Sequence, residues 1–165
     1  MDTFHEQIVA IKKTAGKYAA IICIWLAAVA VSVVAFLFTG SFGLIIACGA
    51  GYGAYYLSRR FFIEYEYIVT NGIMDIDRII AKSSRKRDLS FSLENVSGVE
   101  KYNPNARNAS YNKTVIAANP TNEAYAVTIF EEGKGKTLLV IAPNDDIKES
   151  MKKFMPKFVS NSAFK

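Results

Sequence analysis

The chain has 165 residues, 51% of them hydrophobic and 21% charged, with a formal net charge of +5. This length accommodates one ordinary domain, or a small domain together with an anchor. The charges are absent from one block, since the 41 residues from Tyr18 to Ser58 include no Asp, Glu, Lys or Arg. A soluble domain of this size has no use for such a segment, so the composition argues against a purely water-soluble protein.

Before the uncharged block, the N-terminal residues carry a helical pattern. Thr3 stands three residues ahead of Glu6, as in a capping box, and four apolar residues follow at helical spacing: Phe4, Ile8, Ile11 and Ala15. The pattern predicts an amphipathic cytoplasmic segment over residues 1–17, lying as a short helix at the membrane interface. The alternative is the frayed start of a membrane span.

The uncharged block, residues 18–58, is long enough for two crossings of a membrane, because one helix needs about 20 apolar residues. Gly40 and Ser41 supply a turn, which divides the block into the predicted spans Tyr18–Thr39 and Phe42–Ser58. Backbone amides in lipid must be satisfied within the segment, which favours a helical hairpin. A cleaved signal peptide is the alternative, but its apolar region would be only about 7 to 15 residues.

Basic residues flank the two predicted spans and are absent from the connection between them. The cations that determine this topology are Lys12, Lys13, Lys17, Arg59 and Arg60. The positive-inside rule then predicts a two-pass protein of the bacterial plasma membrane with both termini cytoplasmic. In that orientation Cys23 and Cys48 are packed thiols in apolar helices, and the sequons at Asn95, Asn108 and Asn112 are not glycosylated.

Small residues recur at four-residue spacing in both spans, as Ala28 and Ser32 in the first and as Gly49 and Gly53 in the second. Such faces predict close packing within the hairpin, or a homo-oligomer formed by two copies. No ionisable residue lies within either span, so a transport pathway is disfavoured.

From residue 59 onward the hydrophobic pattern has a period of two. The segment Phe61–Ile79 contains two alternating strands joined by Asn71-Gly72, a pair typical of a type I′ hairpin. Five further strands are predicted: Lys86–Ser92, Ser97–Tyr102, Asn112–Ala118, Ala124–Glu131 and Lys136–Ala142. The sequence therefore predicts seven antiparallel strands, the last two joined by a turn at residues 133–135.

A helix is predicted after Pro143, with Asn144 as its cap and two aspartates in its first turn. Its apolar stripe consists of Ile147, Met151, Phe154, Met155 and Phe158. Such a stripe must cover something, and we expect it to close the open end of the strands.

Seven strands closed by a helix resemble the pleckstrin-homology (PH) superfold. The opening of the domain is similar to bacterial PH-like domains, in which Y-x-[LIV]-T-[ND] and I/L-x-x-[IV] patterns are matched here by Tyr67, Val69, Thr70, Asn71, Leu93 and Val96. The whole chain also resembles a bacterial family of small two-helix membrane proteins, classed as a domain of unknown function. The resemblance implies a membrane-anchored α+β protein, in which a transmembrane helical hairpin precedes a cytoplasmic PH-like barrel or sandwich over residues 59–165. It implies no activity.

The strongest charge feature of this domain is a run of five cations in ten residues: Arg78, Lys82, Arg85, Lys86 and Arg87. One interpretation is contact with anionic lipid or phosphate, since each cation near a membrane contributes about 1 kcal/mol. The other is a solvated surface balanced by acids on neighbouring strands, which Glu64, Glu66, Asp75 and Asp77 favour. Nucleic-acid binding is not expected, because no recognition motif accompanies the cations.

Residues for catalysis are scarce. His5 is the only histidine and precedes the predicted domain, so we expect no histidine-based catalysis, no metal site and no cofactor. Asp75 and Asp77 share one face of a strand, either as an acid/base pair or as surface charge. The polar loop Asn103–Asn112 is either a ligand loop or a connection.

Two hypotheses about function follow. The first is a non-enzymatic interaction module, anchored in the lipid bilayer and presenting its PH-like domain at the inner leaflet to an unknown protein partner. The second is an accessory subunit of a larger membrane enzyme or transporter.

Overall fold

The computed structural model describes residues 3–104, 111–119, 123–133 and 135–164, and these form two compact units. The first, the β unit, comprises the described residues of Met1–Ile11, Glu64–Ile79 and Arg85–Lys165. The second, the helical unit, comprises Lys12–Ile63 and Ile80–Ser84. The N-terminal residues thus belong with the β strands, and the helical unit is inserted within the β unit along the chain.

The helical unit contains two packed helices, as the sequence predicts. Helix α1 (Ala15–Thr39) is followed by a 3-10 turn (Gly40–Phe42) and by α2 (Gly43–Arg59). A Cβ placed on Gly43 would lie 2.5 Å from the Cα of Phe36, so only glycine permits this approach between the helices. The helical segment Ala15–Arg59 is apolar and long enough to cross a membrane, and only 6% of its most apolar 18-residue window is buried.

The N-terminal residues Phe4–Ala10 form a strand, β1, so the predicted amphipathic helix is wrong. Strand β1 pairs antiparallel with β2 (Ile63–Thr70) in continuous register, from Phe4 opposite Thr70 to Ala10 opposite Glu64. The spacing of Phe4 and Ile8 misled the prediction, because residues four apart share a face in a strand as well as in a helix. Pairing with β2 satisfies the backbone groups that a helix would have satisfied internally.

The first sheet has the strand order β1-β2-β3-β4, with β3 at Ile73–Ile80 and β4 at Ser84–Ser92. The turn between β2 and β3 is confirmed, since Asn71 has φ 47° and Gly72 has φ 86°. The connection from β3 to β4 has a conformation that the sequence did not predict: Ala81 and Lys82 also have positive φ, at 50° and 55°. Neither residue type favours this region, so the sequence offers no signal for the turn.

The second sheet has the order β5-β7-β8-β6. Its strands are β5 (Val96–Lys101), β6 (Lys113–Ile116), β7 (Tyr125–Glu131) and β8 (Gly135–Ile141). Strand β6 pairs parallel with β8, whereas β7 pairs antiparallel with both β5 and β8. The described residues therefore form eight strands in two sheets of four, in place of the seven antiparallel strands predicted. The eighth strand is β1, and the parallel pair was missed because period-two patterning does not specify strand direction.

Helix α3 (Asp145–Phe154) begins as predicted, with Asn144 Oδ1 accepting from Ile147 N at 2.9 Å. Pro156 then ends the stripe, and a short helix α4 (Lys157–Ser160) follows in a new direction. Ile147 and Met151 are fully buried, but Phe158 is 72% exposed, and Val159 and Ala163 are buried in its place.

Tyr67 connects the two sheets of the β unit. Its side chain is fully buried, and its hydroxyl donates to Ala117 O at 2.7 Å beyond the end of β6. The same hydroxyl accepts from Ala142 N at 3.4 Å beyond the end of β8. Burial raises the pKa of Tyr67 far above its ordinary value, although the Ala142 backbone partly opposes the shift. The phenol therefore stays neutral and acts as a structural bridge.

The turn at Gly72 provides a test of the first hairpin. We expect Gly72→Val to lower the free energy of unfolding by about 1 to 3 kcal/mol, because valine resists positive φ. A Cβ there would also lie 3.1 Å from Phe154 Cδ1. Gly98→Val is the matched control, since no described atom lies within 4 Å of its added Cβ. Equal stabilities in chemical denaturation would contradict the assignment.

The insertion predicts that the β unit folds without its helices when β1 is retained. Replacing residues 11–63 with Asn-Gly should join Ala10 to Glu64 through a two-residue turn, because these residues are already paired. This chain should unfold cooperatively. Residues 59–165 alone should be less stable than this chain by on the order of 3 kcal/mol. Loss of β1 leaves the paired backbone groups of β2, and the Ala142 and Asn144 groups that bond Gln7, without their partners. Equal unfolding free energies would show that β1 contributes nothing.

Candidate functional site

Arg85, a member of the predicted cation cluster, is paired with a buried carboxylate. Its Nη2 lies 2.7 Å and 2.8 Å from the two carboxylate oxygens of Glu66. Glu66 is 1% exposed, although it lies on the opposite face of β2 from the core residues Tyr65 and Tyr67. Burial raises the pKa of Glu66, a hydrogen bond with Glu6 raises it further, and Arg85 opposes both effects.

Arg87, also on β4, is paired in the same way with carboxylates of β3. Its Nη2 lies 3.1 Å from Asp75 Oδ2, and its Nε lies 3.2 Å from Asp77 Oδ1. Asp77 is 4% exposed, and both aspartates share one face of β3. One guanidinium thus holds the two carboxylates that the sequence offered as an acid/base pair, an arrangement that serves charge neutralisation.

Arg78 is paired with Asp88, which directly follows the run of cations in the sequence. Arg78 Nη2 lies 3.3 Å from Asp88 Oδ1, and both groups interact with the hydroxyl of Tyr65. Burial raises the pKa of Tyr65, and the charge of Asp88 adds to the shift. The spacing of Asp88 along the chain gave no hint of this pair, which depends on the packing of β2, β3 and β4.

The predicted cluster is therefore divided by the fold. Its three arginines balance carboxylates of the first sheet, whereas no described residue is paired with Lys82 or Lys86. Lys86 is exposed on β4. Lys82 belongs to the turn Ile80–Ser84, which is part of the helical unit.

Within the helical unit, this turn contacts the base of the hairpin, which we define as the end where α1 begins and α2 ends. Ala81 N donates to Phe62 O at 2.8 Å, and Arg59 Nη2 donates to the hydroxyl of Ser83. Lys13 Nζ lies 3.3 Å from the centroid of the Phe62 ring. Three segments that are distant in sequence thus meet at the base, a grouping that no local pattern could reveal.

Aromatic and cationic side chains alternate around the hairpin base. The Arg59 guanidinium lies 5.7 Å from the Tyr55 ring, and that of Arg60 lies 5.9 Å from the Tyr56 ring. Lys13 also lies 5.3 Å from the Tyr18 ring. Amphipathic rings with adjacent cations are typical of the boundary between lipid and water.

The predicted small-residue face of α2 makes few close contacts with α1. No described atom lies within 4 Å of a Cβ placed on Gly49, Gly51 or Gly53, so Gly43 alone among these four glycines makes a close contact. A shallow apolar cavity of about 300 Å³ lies between the helices and is lined in part by Ala28, Val31 and Gly53.

Two of the shallow depressions in the β unit lie beside strands of the first sheet. The larger, of about 520 Å³, lies between β4 and the second sheet. The smaller, of about 350 Å³, lies beside α3 and includes His5 and Ser150. His5 was expected outside the folded domain but lies on β1, and in the described chain it has no hydrogen bond with Ser150. Most of the polar loop Asn103–Asn112, including Asn108, lies outside the described residues.

The buried pair of Glu66 and Arg85 leads to a stability prediction. Arg85→Ala should cost about 3 kcal/mol, because it leaves a buried carboxylate without its partner. This value is at the low end of the range for buried pairs, since the Arg85 side chain is 54% exposed. Lys86→Ala is the control and should change stability by less than about 0.5 kcal/mol. Equal denaturation midpoints would contradict the pairing.

The raised pKa of Glu66 also gives a pH dependence. Between the ordinary value of 4.5 and the raised value, the folded chain keeps a proton that the unfolded chain has lost. The contribution of Glu66 to stability should therefore increase as the pH falls through the raised pKa, and level off below about 4.5. Glu66→Gln should remove this contribution, because glutamine does not titrate. The neighbouring charged groups Glu6, Asp77 and Arg85 are unchanged in this variant. Identical pH profiles of unfolding for the two chains would contradict it.

Comparison with known proteins identifies the fold family. No curated protein and no solved structure matches the chain. The family described as Bacterial PH-like domain (DUF6106) matches residues 1–161. The match is not confined to the predicted C-terminal domain, but includes β1 and the helical hairpin. Since the match covers nearly the whole chain, the protein belongs to this bacterial PH-like domain family.

Proposed function

We propose that this protein is a non-enzymatic membrane protein that presents a PH-like interaction module at the cytoplasmic face of the bacterial plasma membrane. In this proposal α1 and α2 cross the bilayer as a two-pass hairpin. The β unit recruits a protein partner whose identity is unknown.

The pairing of β1 with β2 is the observation that carries the proposal. The two strands flank the helical unit along the chain and pair over seven residue positions. Strands of one sheet lie on the same side of a membrane, so the segment between them must cross an even number of times. Two helices of 25 and 17 residues meet this requirement, the shorter with the help of flanking Arg59.

The surface of the hairpin gives further support. None of the residues of α1 is buried, and α2 buries only Gly43, Ala54 and Ser58. Large apolar side chains such as Leu37, Phe38 and Ile45 are more than 70% exposed. A contiguous surface of this kind requires an apolar environment, which a bilayer provides. The basic residues at the hairpin base favour a cytoplasmic location for both connections.

An accessory subunit of a larger membrane enzyme or transporter is the second candidate. The open positions at Gly49, Gly51 and Gly53 favour it, because small residues allow a helix of another protein to approach closely. Stoichiometric purification with one polytopic protein would favour this candidate. A chain that remains alone or self-associates would favour the independent module.

Topology is tested with single cysteines in a chain carrying Cys23→Ala and Cys48→Ala. An impermeant maleimide should label Ser41→Cys in intact cells, because the turn between the helices should face outward. Lys101→Cys, on β5, should be labelled only after the membrane is opened. Labelling of both positions from the same side would contradict two crossings, and labelling of Lys101→Cys alone would reverse the orientation.

A further inference from the structure

The hairpin base is rich in positive charge. The helical unit contains six cations, and its residues 12–63 and 80–84 include no Asp or Glu. The cations are Lys12, Lys13, Lys17, Arg59, Arg60 and Lys82. By contrast, each arginine of the first sheet is paired with a carboxylate. Six like charges at one end of a compact unit repel each other unless anions are bound nearby.

The turn Ile80–Ser84 adds a cation to this end at a conformational cost. Lys82 has φ 55° and Ala81 has φ 50°, a region in which lysine and alanine are disfavoured. Glycine or asparagine would relieve this strain, so the backbone does not explain the choice of lysine. The turn is nevertheless held to the base by the bonds of Ala81 with Phe62 and of Ser83 with Arg59.

We propose that the hairpin base, with Arg59, Arg60 and Lys82 as its principal donors, binds the phosphate of an anionic phospholipid headgroup. Guanidinium groups form paired hydrogen bonds with phosphate oxygens, and lysine adds a point charge. Lys82 is exposed and its ammonium group has no partner among the described residues. The β3–β4 turn therefore supplies a headgroup ligand in addition to the cations that flank the helices.

The neighbouring side chains favour a lipid over a soluble phosphate. Tyr55 and Tyr56 lie next to Arg59 and Arg60, and Phe62 lies beneath Lys13, at the end of an apolar hairpin. A headgroup phosphate that lies at this level has its acyl chains against the exposed helices. The inference rests on the membrane anchor proposed above and adds the ligand class of its base.

Trp25, the only tryptophan, reports on both proposals. It lies in α1 and is 44% exposed, so acyl chains next to the hairpin should quench its emission. The full chain is reconstituted in vesicles of phosphatidylcholine or phosphatidylglycerol with brominated chains, and quenching in mixtures gives the relative affinity of the two lipids. Quenching by neither lipid would overturn the anchor, and with it this inference. Quenching equal in both would overturn the headgroup site alone.

We expect a preference for phosphatidylglycerol, and a decrease in that preference of about fivefold for each cation removed by Arg59→Gln, Arg60→Gln or Lys82→Gln. Lys82→Arg should retain it. The matched control, in which Lys86→Gln, Lys101→Gln and Lys157→Gln remove three exposed cations of the β unit, should leave it unchanged. An equal loss in the control and in the triple variant of the base would overturn the assignment in favour of general surface charge.

Two further arms distinguish the source of the phosphate. The preference should decrease between 0.1 M and 1 M salt, where the Debye length falls from about 10 Å to about 3 Å. Soluble glycerol phosphate should not displace phosphatidylglycerol at concentrations comparable to those of the lipid. Full displacement by glycerol phosphate would overturn the lipid assignment and identify a site for soluble phosphates.

Discussion

The ladder between β1 and β2 is the constraint on which the rest of this structure depends. It joins residues on either side of the helical unit, so the two connections of the hairpin start from the paired positions Ala10 and Glu64. Gln7 of β1 also donates to Ala142 O at 3.0 Å and accepts from Asn144 N at 2.7 Å. Asn144 in turn caps α3, so β1 positions the helix that covers the core. Strand β1 therefore determines where the helical unit is inserted along the chain, and it also positions α3 over the core of the β unit.

Charge in the first sheet serves the fold more than it serves binding. Glu66 and Asp77 are almost fully buried on the face of the sheet opposite its core residues, where a row of carboxylates would repel each other. Arg85 and Arg87 neutralise this row from β4, and Arg78 forms a separate pair with Asp88. Buried pairs of this kind add little net stability, but removing one partner is costly. The run of cations that dominates the sequence is thus largely explained by acids that it faces.

Six further cations lie at the hairpin base, which combines groups from three parts of the chain. Two of these parts flank the helices, and the third is the turn between β3 and β4. The turn adopts a conformation that its residues disfavour, and its contacts with Arg59 and Phe62 maintain it. Strain that is kept in this way is typical of positions with a function, as proposed here for Lys82.

Local patterns in the sequence determined the helical hairpin, the turn at Asn71-Gly72, most strands and the start of α3. Each depends on residues close together in the chain: an uncharged run, a positive-φ pair, an alternation or a cap. The identity of β1 required the tertiary structure, because Phe4 and Ile8 fit a helix and a strand equally well until a partner strand is present. The parallel pairing of β6 with β8, the new direction after Pro156 and the partners of the arginines were likewise decided by contacts between distant segments. The cations are visible in the sequence, but only the fold decided which arginines pair with carboxylates of the first sheet and brought Lys82 to the base of the hairpin.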